Sequence, residues 1–155
     1  MSQQPVPRNV EVRAMRLADV DAVVDIETEA FSSPWQRDTF AGLIGRPGVE
    51  LLVMTEADED VVGYAVLWCI LDQGELANVA VTPALRGRGL GSRLVASVLD
   101  VARGRGVRKI FLEVRASNAG AIQLYDRFGF SDVGLRKNYY DDPREDARVM
   151  MAELS

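Results

Sequence analysis

The stretch Arg86-Gly87-Arg88-Gly89-Leu90-Gly91-Ser92 decides the fold of this chain. It follows the β-prone run Asn78-Val79-Ala80-Val81-Thr82-Pro83 and precedes a segment with apolar residues at helical spacing. Glycines at 87, 89 and 91 let the backbone curve closely around a ligand, and a helix that starts here directs unpaired N–H groups at the loop. The pattern therefore predicts an anion site between a strand and a helix.

Two nucleotide-binding interpretations of this loop fail on spacing. A Walker A loop needs Lys and then Ser or Thr after its last glycine, and Arg93 does not fit that pattern. A dinucleotide fingerprint that begins at Gly87 needs glycine at position 92, where Ser92 stands. A flexible turn without a ligand remains as the simpler alternative.

The segments after the loop predict a parallel pair of strands. Gly104 and Gly106 end the helix, and 109–115 alternates apolar and polar residues as a strand does. Asn118 is a good N-cap for a further helix that Gly129 ends. A strand, a helix and a second strand in this order pair in parallel through a right-handed crossover.

The chain before the loop predicts one strand, two helices and three antiparallel strands. The first strand covers 10–15, and the first helix follows Asp19. Ser33 has the features of an N-cap for the second helix, with Pro34 at its first position and its end near Leu43. The three strands cover 51–55, 61–68 and 75–81.

The order of elements predicts the fold class. Two closing strands, 134–139 and 147–154, complete the order β-α-α-β-β-β-α-β-α-β-β. This order indicates an α/β (α+β) domain with a single mixed, mostly antiparallel central sheet flanked by helices. We expect residues 1–8 to form a flexible lead-in and 9–155 to form the domain, since 155 residues suit one core.

Composition excludes several kinds of site. The chain has no histidine, which excludes Ser-His-Asp and Cys-His catalysis and zinc sites that need imidazole. Its one cysteine, Cys69, lies in an apolar run and is predicted to be a buried, unreactive thiol. No apolar run approaches about 20 residues and no signal-peptide pattern opens the chain. We therefore expect a cytoplasmic protein with no membrane partner.

The charge is unevenly distributed. A net charge of −5 argues against direct nucleic-acid binding. Residues 86–115 nevertheless hold eight basic and two acidic side chains. A basic segment in an acidic protein suits one small polyanionic ligand, although a solvated helix face would show the same pattern.

Further motifs around the loop resemble the GCN5-related N-acetyltransferase (GNAT) superfamily. The loop has the form Arg-x-x-Gly-x-Gly after Asn-Val-Ala-Val-Thr-Pro, and the likeness covers nearly the whole chain. The other similar segments are Phe31-Ser32-Ser33-Pro34-Trp35, Leu112-Glu113-Val114-Arg115-Ala116-Ser117-Asn118, Leu124-Tyr125, Gly129-Phe130 and Arg136-Lys137-Asn138-Tyr139-Tyr140. Within the superfamily these segments resemble the RimI-type branch, the ribosomal-protein-alanine N-acetyltransferases.

The resemblance implies acetyl-coenzyme A (acetyl-CoA) as the cosubstrate and no metal. It implies that Val79, Ala80 and Val81 bind the pantetheine arm through their backbone, where their strand splays from its neighbour. Asn118 would contact the coenzyme, although by itself it is a helix N-cap. The diphosphate would lie on the main-chain amides of Arg86, Gly87, Arg88, Gly89, Leu90, Gly91 and Ser92.

The resemblance also implies Glu113 as general base and Tyr125 as general acid. Glu113 is a carboxylate in an otherwise apolar strand, where it needs a partner or water. Tyr125 lies two helical turns beyond Asn118, so we expect both side chains to project from one helix face toward the coenzyme. The residues alone favour the interpretation of Tyr125 as a core aromatic.

Several residues are candidates for the acceptor site by the same resemblance. Ser33, Trp35, Tyr139 and Tyr140 lie in segments similar to the walls of the RimI-type peptide groove, and Trp35 could equally pack between helices. Glu75 is the second candidate for the base and is otherwise an exposed strand end. Arg136 and Lys137 would repel a cationic peptide. The acidic residues that could offset them are Asp141, Asp142, Glu145 and Glu27.

The expected activity is transfer of an acetyl group to a protein N-terminal α-amino group, with a small-subunit ribosomal protein that begins with alanine as the implied partner. Two alternatives remain: a lysine side chain or small amine as the acceptor, and a non-catalytic acetyl-CoA-binding module. The presence of both Glu113 and Tyr125 favours catalysis.

Overall fold

The computed structural model describes residues 10–57 and 60–155, so the predicted lead-in 1–8 lies outside the described residues. The helices are α1 (Val20–Ala30), α2 (Arg37–Leu43), α3 (Leu90–Gly104) and α4 (Ala119–Arg127). The strands are β1 (Glu11–Ala14), β2 (Val49–Glu56), β3 (Asp60–Ile70), β4 (Gln73–Val81), β5 (Lys109–Arg115), β6 (Ser131–Tyr140) and β7 (Glu145–Glu153). The predicted order of helices and strands is confirmed.

The strands form one sheet in the order β1-β2-β3-β4-β5-β7-β6. Among the strand pairings of the described residues, only β4–β5 is parallel, as the strand, helix and strand order predicted. Hydrophobic cores lie on both faces of this sheet. The apolar faces of α3 and α4 pack on one face, and α1 and α2 pack on the other. The predicted fold class, a mixed sheet flanked by helices, is confirmed.

Strands β4 and β5 separate after a short paired segment. Their register pairs Gln73 with Lys109 and ends at Leu76 with Leu112. Beyond that point β4 continues beside β3 alone, and β5 continues beside β7. A bulge assists the separation, because Leu76 pairs with Leu67 and Asn78 with Val66, leaving Ala77 as the extra residue. The gap between the two strands therefore opens next to Asn78.

One predicted helix start is wrong. Helix α2 begins at Arg37 with Gln36 as its N-cap, three residues after the position that a Ser33 cap implies. Tertiary contact explains the shift, since the backbone N–H of Trp35 donates to Glu27 Oε2 at 2.8 Å instead of joining a helical turn. The closing strands also differ from prediction: β6 is longer at both ends, and β7 begins two residues earlier and ends one residue earlier.

The prediction for Cys69 holds in part. Its thiol is half-buried rather than enclosed, and Arg105 lies close enough to favour the thiolate. Burial nevertheless has the larger effect and raises the pKa of the Cys69 thiol. The side chain packs against the core on the α3 face and is poorly suited to act as a nucleophile.

An ion pair fixes the entry to α1 and generates a stability prediction. The Asp19 carboxylate accepts bonds from Arg13 Nη1 and Nη2 at 2.8 and 2.9 Å and from the Arg16 backbone N–H at 2.7 Å. We expect Asp19→Asn to lower the free energy of unfolding at pH 7 by about 2 kcal/mol, because these donors lose a charged acceptor. Asp21→Asn, which changes an exposed acid of the same helix, should have little effect.

The hydrogen bonds from Arg13 hold the pKa of Asp19 below its usual value. Its stabilising effect is therefore present above the pKa of an unfolded aspartate, about 4, and is lost as the pH falls through the lower folded value. Urea unfolding between pH 7 and pH 3 should show the Asp19→Asn difference shrinking as the pH falls. A difference that stays constant with pH would contradict this account of Asp19.

Candidate active site

The gap between β4 and β5 exposes backbone hydrogen-bonding groups that the sheet does not use. Residues 78–81 of β4 have ladder partners on the β3 side, but residues 77–81 have none on the β5 side. Unpaired backbone groups at a strand edge bind an extended ligand readily, because each group needs a partner. The predicted splay of the strand that carries Val79, Ala80 and Val81 is therefore present. The Val81 side chain is buried, so this residue offers its backbone to the gap.

The glycine loop lies directly after this strand and ends at the start of α3. Gly87 and Gly89 have φ of 81° and 78°, in the left-handed region that favours glycine. No atom lies within 4 Å of a Cβ built at either position, so the loop borders open space. Gly89 is the N-cap of α3 and supplies no side-chain cap, which leaves the first N–H groups of the helix available to an anion.

The loop side chains divide into two groups. Arg86 turns back and its Nε donates to the carbonyl of Val81 at 3.2 Å, which ties the loop to the end of β4. Leu90 is 1% exposed and packs in the core, so only its backbone can reach a ligand. Arg88 and Ser92 are half-buried beside the open face of the loop. The loop thus presents main-chain donors with Arg88 as the adjacent cation.

Glu113 projects from the β5 face opposite to α3 and α4. Arg136 Nη1 donates to Glu113 Oε2 at 2.7 Å, and the Tyr139 hydroxyl donates to Oε1 at 3.3 Å. The Glu113 side chain is 16% exposed and that of Arg136 is 56% exposed, so the pair lies at the edge of water. The acid that pairs with Arg136 in the structure is Glu113. None of the four acids that the sequence suggested for this role is its partner: Asp141, Asp142, Glu145 and Glu27.

Tyr125 lies on α4, on the other side of β5 from Glu113. The residue is 7% exposed, and its ring packs against Phe130 with centroids 5.7 Å apart. Burial, and secondarily Tyr140, raises the pKa of the Tyr125 phenol above its ordinary value. Its hydroxyl has no hydrogen-bond partner within 10–57 and 60–155. A neutral phenol with a free hydroxyl can donate a proton.

Asn118 caps α4 as the sequence predicted. Its Oδ1 accepts from the Ala121 backbone N–H at 3.2 Å, while the residue itself is exposed. The Nδ2 group has no partner in the described part of the chain and can donate to a ligand. Asn118 and Tyr125 differ in burial, because the first faces solvent and the second faces the core.

Only some of the residues predicted for the acceptor site lie around Glu113. The Tyr139 and Tyr140 rings meet edge-on at 5.0 Å, and burial, with Glu113 as the second cause, raises the pKa of Tyr140 to about 12. The Trp35 and Phe40 ring centroids are 5.5 Å apart, so Trp35 packs between helices, and its part in the acceptor site stays a prediction. Ser33 is exposed and makes no hydrogen bond to these tyrosines in the described structure.

Glu75 shares a cavity with Glu113. The cavity has a volume of about 390 Å³ and lies between the two carboxylates and strand β6, with Arg136 at one side. Burial and the charge of Glu113 raise the pKa of Glu75. Apolar walls from Phe111, Val133, Leu135 and Val149 complete it. This arrangement suits a ligand with a basic group and an apolar body.

Arg115 joins the two segments that border this region, and sequence reasoning missed it. Its guanidinium donates to the carbonyls of Pro143 and Asp141 at 2.9 and 3.1 Å and to Ser32 Oγ at 3.0 Å. It also stacks over the Tyr140 ring at 4.5 Å. The loop after α1 and the β6–β7 turn are therefore held together from β5. Side chains alternate between the two faces along β5, which places Arg115 on the same face as Glu113. This alternation could have identified Arg115 from the sequence.

Glu27 is a second residue whose part in the site the sequence did not reveal. It is 1% exposed, and its carboxylate accepts from the Trp35 backbone, the Tyr64 hydroxyl and Asn78 Nδ2. Burial and the nearby Glu27 charge raise the pKa of Tyr64 far above its ordinary value. The signal was present, because Glu27 follows Val20 and Val23 on the apolar stripe of α1.

These features define an acyl-coenzyme A N-acyltransferase fold, in which two strands part beside a glycine loop and a helix N-terminus. The Acetyltransferase (GNAT) family model matches residues 20–130, and the chain belongs to this family. It is accordingly an acetyl-CoA-dependent acetyltransferase. Among residues 10–57 and 60–155, no group of His, Cys, Asp or Glu is arranged to hold a metal ion.

Three known proteins illustrate the relationship. A Bacillus subtilis (strain 168) relative, provisionally named ribosomal protein bS18-alanine N-acetyltransferase, is 40% identical over 145 residues, covering 93% of this chain and 95% of its own. The crystal structure of the Escherichia coli ribosomal-protein-S18-alanine N-acetyltransferase superposes with a TM-score of 0.86 at 36% identity, with 94% of each chain covered. A Salmonella typhimurium protein solved with its cofactor acetyl-CoA has a TM-score of 0.80 at 25% identity, again over 94% of each chain.

The left-handed glycines generate a binding prediction. Gly89→Ala should weaken acetyl-CoA binding about tenfold, because a Cβ at this positive φ costs about 1–2 kcal/mol and projects into the open space that the loop borders. Gly104→Ala, at the far end of α3 where φ is not positive, should leave the affinity unchanged. Isothermal titration calorimetry on both variants measures the affinity for acetyl-CoA. Equal affinity in the Gly89 and Gly104 variants would show that the loop does not hold the coenzyme.

Proposed function

We propose that this protein acetylates the N-terminal α-amino group of a protein that begins with alanine, with the counterpart of ribosomal protein bS18 as its substrate. The observation that carries the proposal is Glu113, whose carboxylate opens onto a bordered cavity on the sheet face opposite to Tyr125. The names of the similar proteins in Bacillus subtilis and Escherichia coli support the same acceptor.

The coenzyme is proposed to lie in the gap between β4 and β5. Acetyl-CoA, when bound, supplies an acetyl group activated as a thioester. The backbone of Val79, Ala80 and Val81 would bind the pantetheine arm, and the amides of 87–92 would bind the diphosphate. An N–H of Val79 or Ala80 would stabilise negative charge that develops on the carbonyl oxygen during attack. Asn118 Nδ2 would add a donor from the start of α4.

Glu113 is proposed to accept a proton from the acceptor ammonium, directly or through one water. An α-ammonium has a pKa of about 8 in solution, so a modest base suffices near neutral pH. Arg136 and Tyr139 hold the carboxylate in place from one side. Because Arg136 is mostly exposed, it can move when an acceptor amine arrives at Glu113. Glu75, across the cavity, remains the second candidate for the base.

Tyr125 is proposed to donate a proton to the departing thiolate. Its raised pKa keeps the hydroxyl protonated across the working pH range, which a general acid requires. Its place on the opposite side of β5 separates it from Glu113, so acid and base would act from two sides of the reacting centre. Tyr140 lies close enough to interact electrostatically with both residues.

The acceptor would lie between the segment after α1 and the β6–β7 turn. Ser33, Trp35, Tyr139 and Tyr140 are the proposed border residues, and Arg115 links the two segments through Ser32 and Asp141. An extended N-terminus could be bound here by backbone groups and aromatic rings.

No helix in residues 10–57 and 60–155 is long and apolar enough to cross a membrane. We propose the cytoplasm as the place where the protein meets its substrate.

A peptide panel tests the acceptor. The protein is incubated with acetyl-CoA and peptides beginning Ala, Ser, Met or acetyl-Ala, some with internal Lys, and the modified nitrogen is located by mass spectrometry. We expect acetylation of the free Ala N-terminus and none of the blocked peptide. Modification of internal Lys in the acetyl-Ala peptide would replace this proposal with lysine acetylation. Coenzyme binding without release of free thiol from any peptide would indicate a non-catalytic module.

The proposed acid and base give a paired kinetic prediction. Glu113→Gln and Tyr125→Phe should each lower kcat by about 100-fold while the affinity for acetyl-CoA changes little, as removal of a proton-transfer group predicts. Glu153→Gln, an exposed acid at the end of β7, should match wild type. Since burial raises the Tyr125 pKa, wild-type kcat should not fall between pH 8 and 10 through loss of the acid. Full activity in both variants would remove the pair from the mechanism.

A further inference from the structure

Glu27 is a buried carboxylate whose partners are all uncharged. It is 1% exposed, and its contacts in the described chain are with a backbone N–H, a phenol and a carboxamide. Burying a carboxylate without a cation costs several kcal/mol, which good hydrogen bonds offset only in part. A feature that lowers stability in this way is expected where it has a positioning role.

The three donors come from three separate parts of the fold. The Trp35 N–H donates to Oε2 at 2.8 Å from the segment between α1 and α2. Asn78 Nδ2 donates to Oε1 and Oε2 at 2.9 and 3.1 Å from the bulged part of β4. The Tyr64 hydroxyl donates to Oε1 from β3. One side chain on α1 therefore binds donors that lie 8, 37 and 51 residues further along the chain.

Two of these donors belong to the two binding regions of the enzyme. Asn78 immediately precedes Val79, where β4 has left β5 and its backbone faces the gap. Trp35 lies in the segment after α1 that borders the proposed acceptor site. Because both donate to the same carboxylate, a displacement of the β4 bulge can change the geometry at Trp35 through the Glu27 side chain alone.

We infer that Glu27 is a positioning residue that couples the coenzyme strand to the acceptor segment. Binding of acetyl-CoA in the β4–β5 gap fixes Asn78, and Glu27 transmits this to Trp35, which sets the acceptor segment for the incoming amine. Any such coupling is reciprocal, so an acceptor held at this segment favours coenzyme binding to the same degree. The part that concerns the acceptor rests on the proposed function.

A comparison within the molecule separates this role from simple stabilisation. Asp19 is also a buried acid, yet it pairs with the charged Arg13 and joins residues only a few positions apart at the entry to α1. Glu27 has no such cation and instead spans α1, the Trp35 segment and β4. An apolar side chain or an ion pair at this position would stabilise the fold better than Glu27 does.

A single-tryptophan reporter tests the coupling without an acceptor. The chain has two tryptophans, and Trp68→Phe leaves Trp35 as the only one. In this background, saturation with acetyl-CoA should change the Trp35 emission, although Trp35 lies outside the proposed coenzyme site. Adding Glu27→Gln should remove at least half of that change at full saturation, with coenzyme saturation confirmed by calorimetry. Glu29→Gln, the same substitution at an exposed position of α1, should keep the full change.

The outcomes are distinct. An undiminished Trp35 response in the Glu27→Gln protein, or no response in the Trp68→Phe parent, would overturn the inference. If Glu27→Gln does not fold, Asn78→Ala removes the same link from the half-buried end on β4 and should likewise remove at least half of the response. Because no acceptor is present, the result stands even if the Ala peptide proves not to be a substrate, which would overturn only the proposed acceptor.

Kinetics extend the test to the reaction. In the protein with both tryptophans, Glu27→Gln should raise the acceptor KM and lower kcat, reducing kcat/KM about tenfold or more. The exchanged pair Glu27→Gln with Asn78→Asp restores a carboxylate and a carboxamide facing each other, and should recover part of that loss. Unchanged kcat/KM in a folded Glu27→Gln protein, or no recovery in the exchanged pair, would contradict the positioning role.

Discussion

The backbone of β4 after Leu76 has hydrogen-bonding groups that no neighbouring strand can use, and the rest of the structure depends on this. The bulge at Ala77 and the pairing of β5 with β7 keep the two strands apart. Buried or half-buried amides need partners, so a sheet left open in this way requires a ligand or water along its edge. One short turn, Pro83–Leu85, separates β4 from the glycine loop, which places an anion site at the end of the same gap.

Charged side chains around the gap are arranged in pairs that fix its borders. Arg136 holds Glu113, and Arg115 pairs with Glu145 while it binds the loop after α1. Glu27 is the exception, because neutral donors surround it. The Arg136 side chain is 56% exposed, so its pair with Glu113 contributes little to stability, whereas three donors hold the buried Glu27 carboxylate. The site thus combines a solvent-facing ion pair at Glu113 with a buried internal link on the α1 side.

Local sequence signals predicted the element order, the parallel β4–β5 pairing and the loop, because each rests on spacing within a short window. The start of α2 was wrong since a bond from Trp35 to Glu27, eight residues away, overrides the cap signal at Ser33. The sequence also did not predict the bond from Arg86 to the Val81 carbonyl, or the bonds by which Arg115 joins the loop after α1 to the β6–β7 turn. Both depend on side-chain partners that only the folded chain brings close, such as the Asp141 carbonyl.

Hydrogen exchange on the coenzyme-bound protein tests the central claim most directly. Mass spectrometry follows amide exchange in a proteolytic fragment that covers residues 77–92, before and after saturation with acetyl-CoA. The open edge of β4 and the glycine loop predict strong new protection in this fragment, with little change in β1 and β2 at the far edge of the sheet. Saturation confirmed by calorimetry without new protection at 77–92 would show that the coenzyme binds elsewhere.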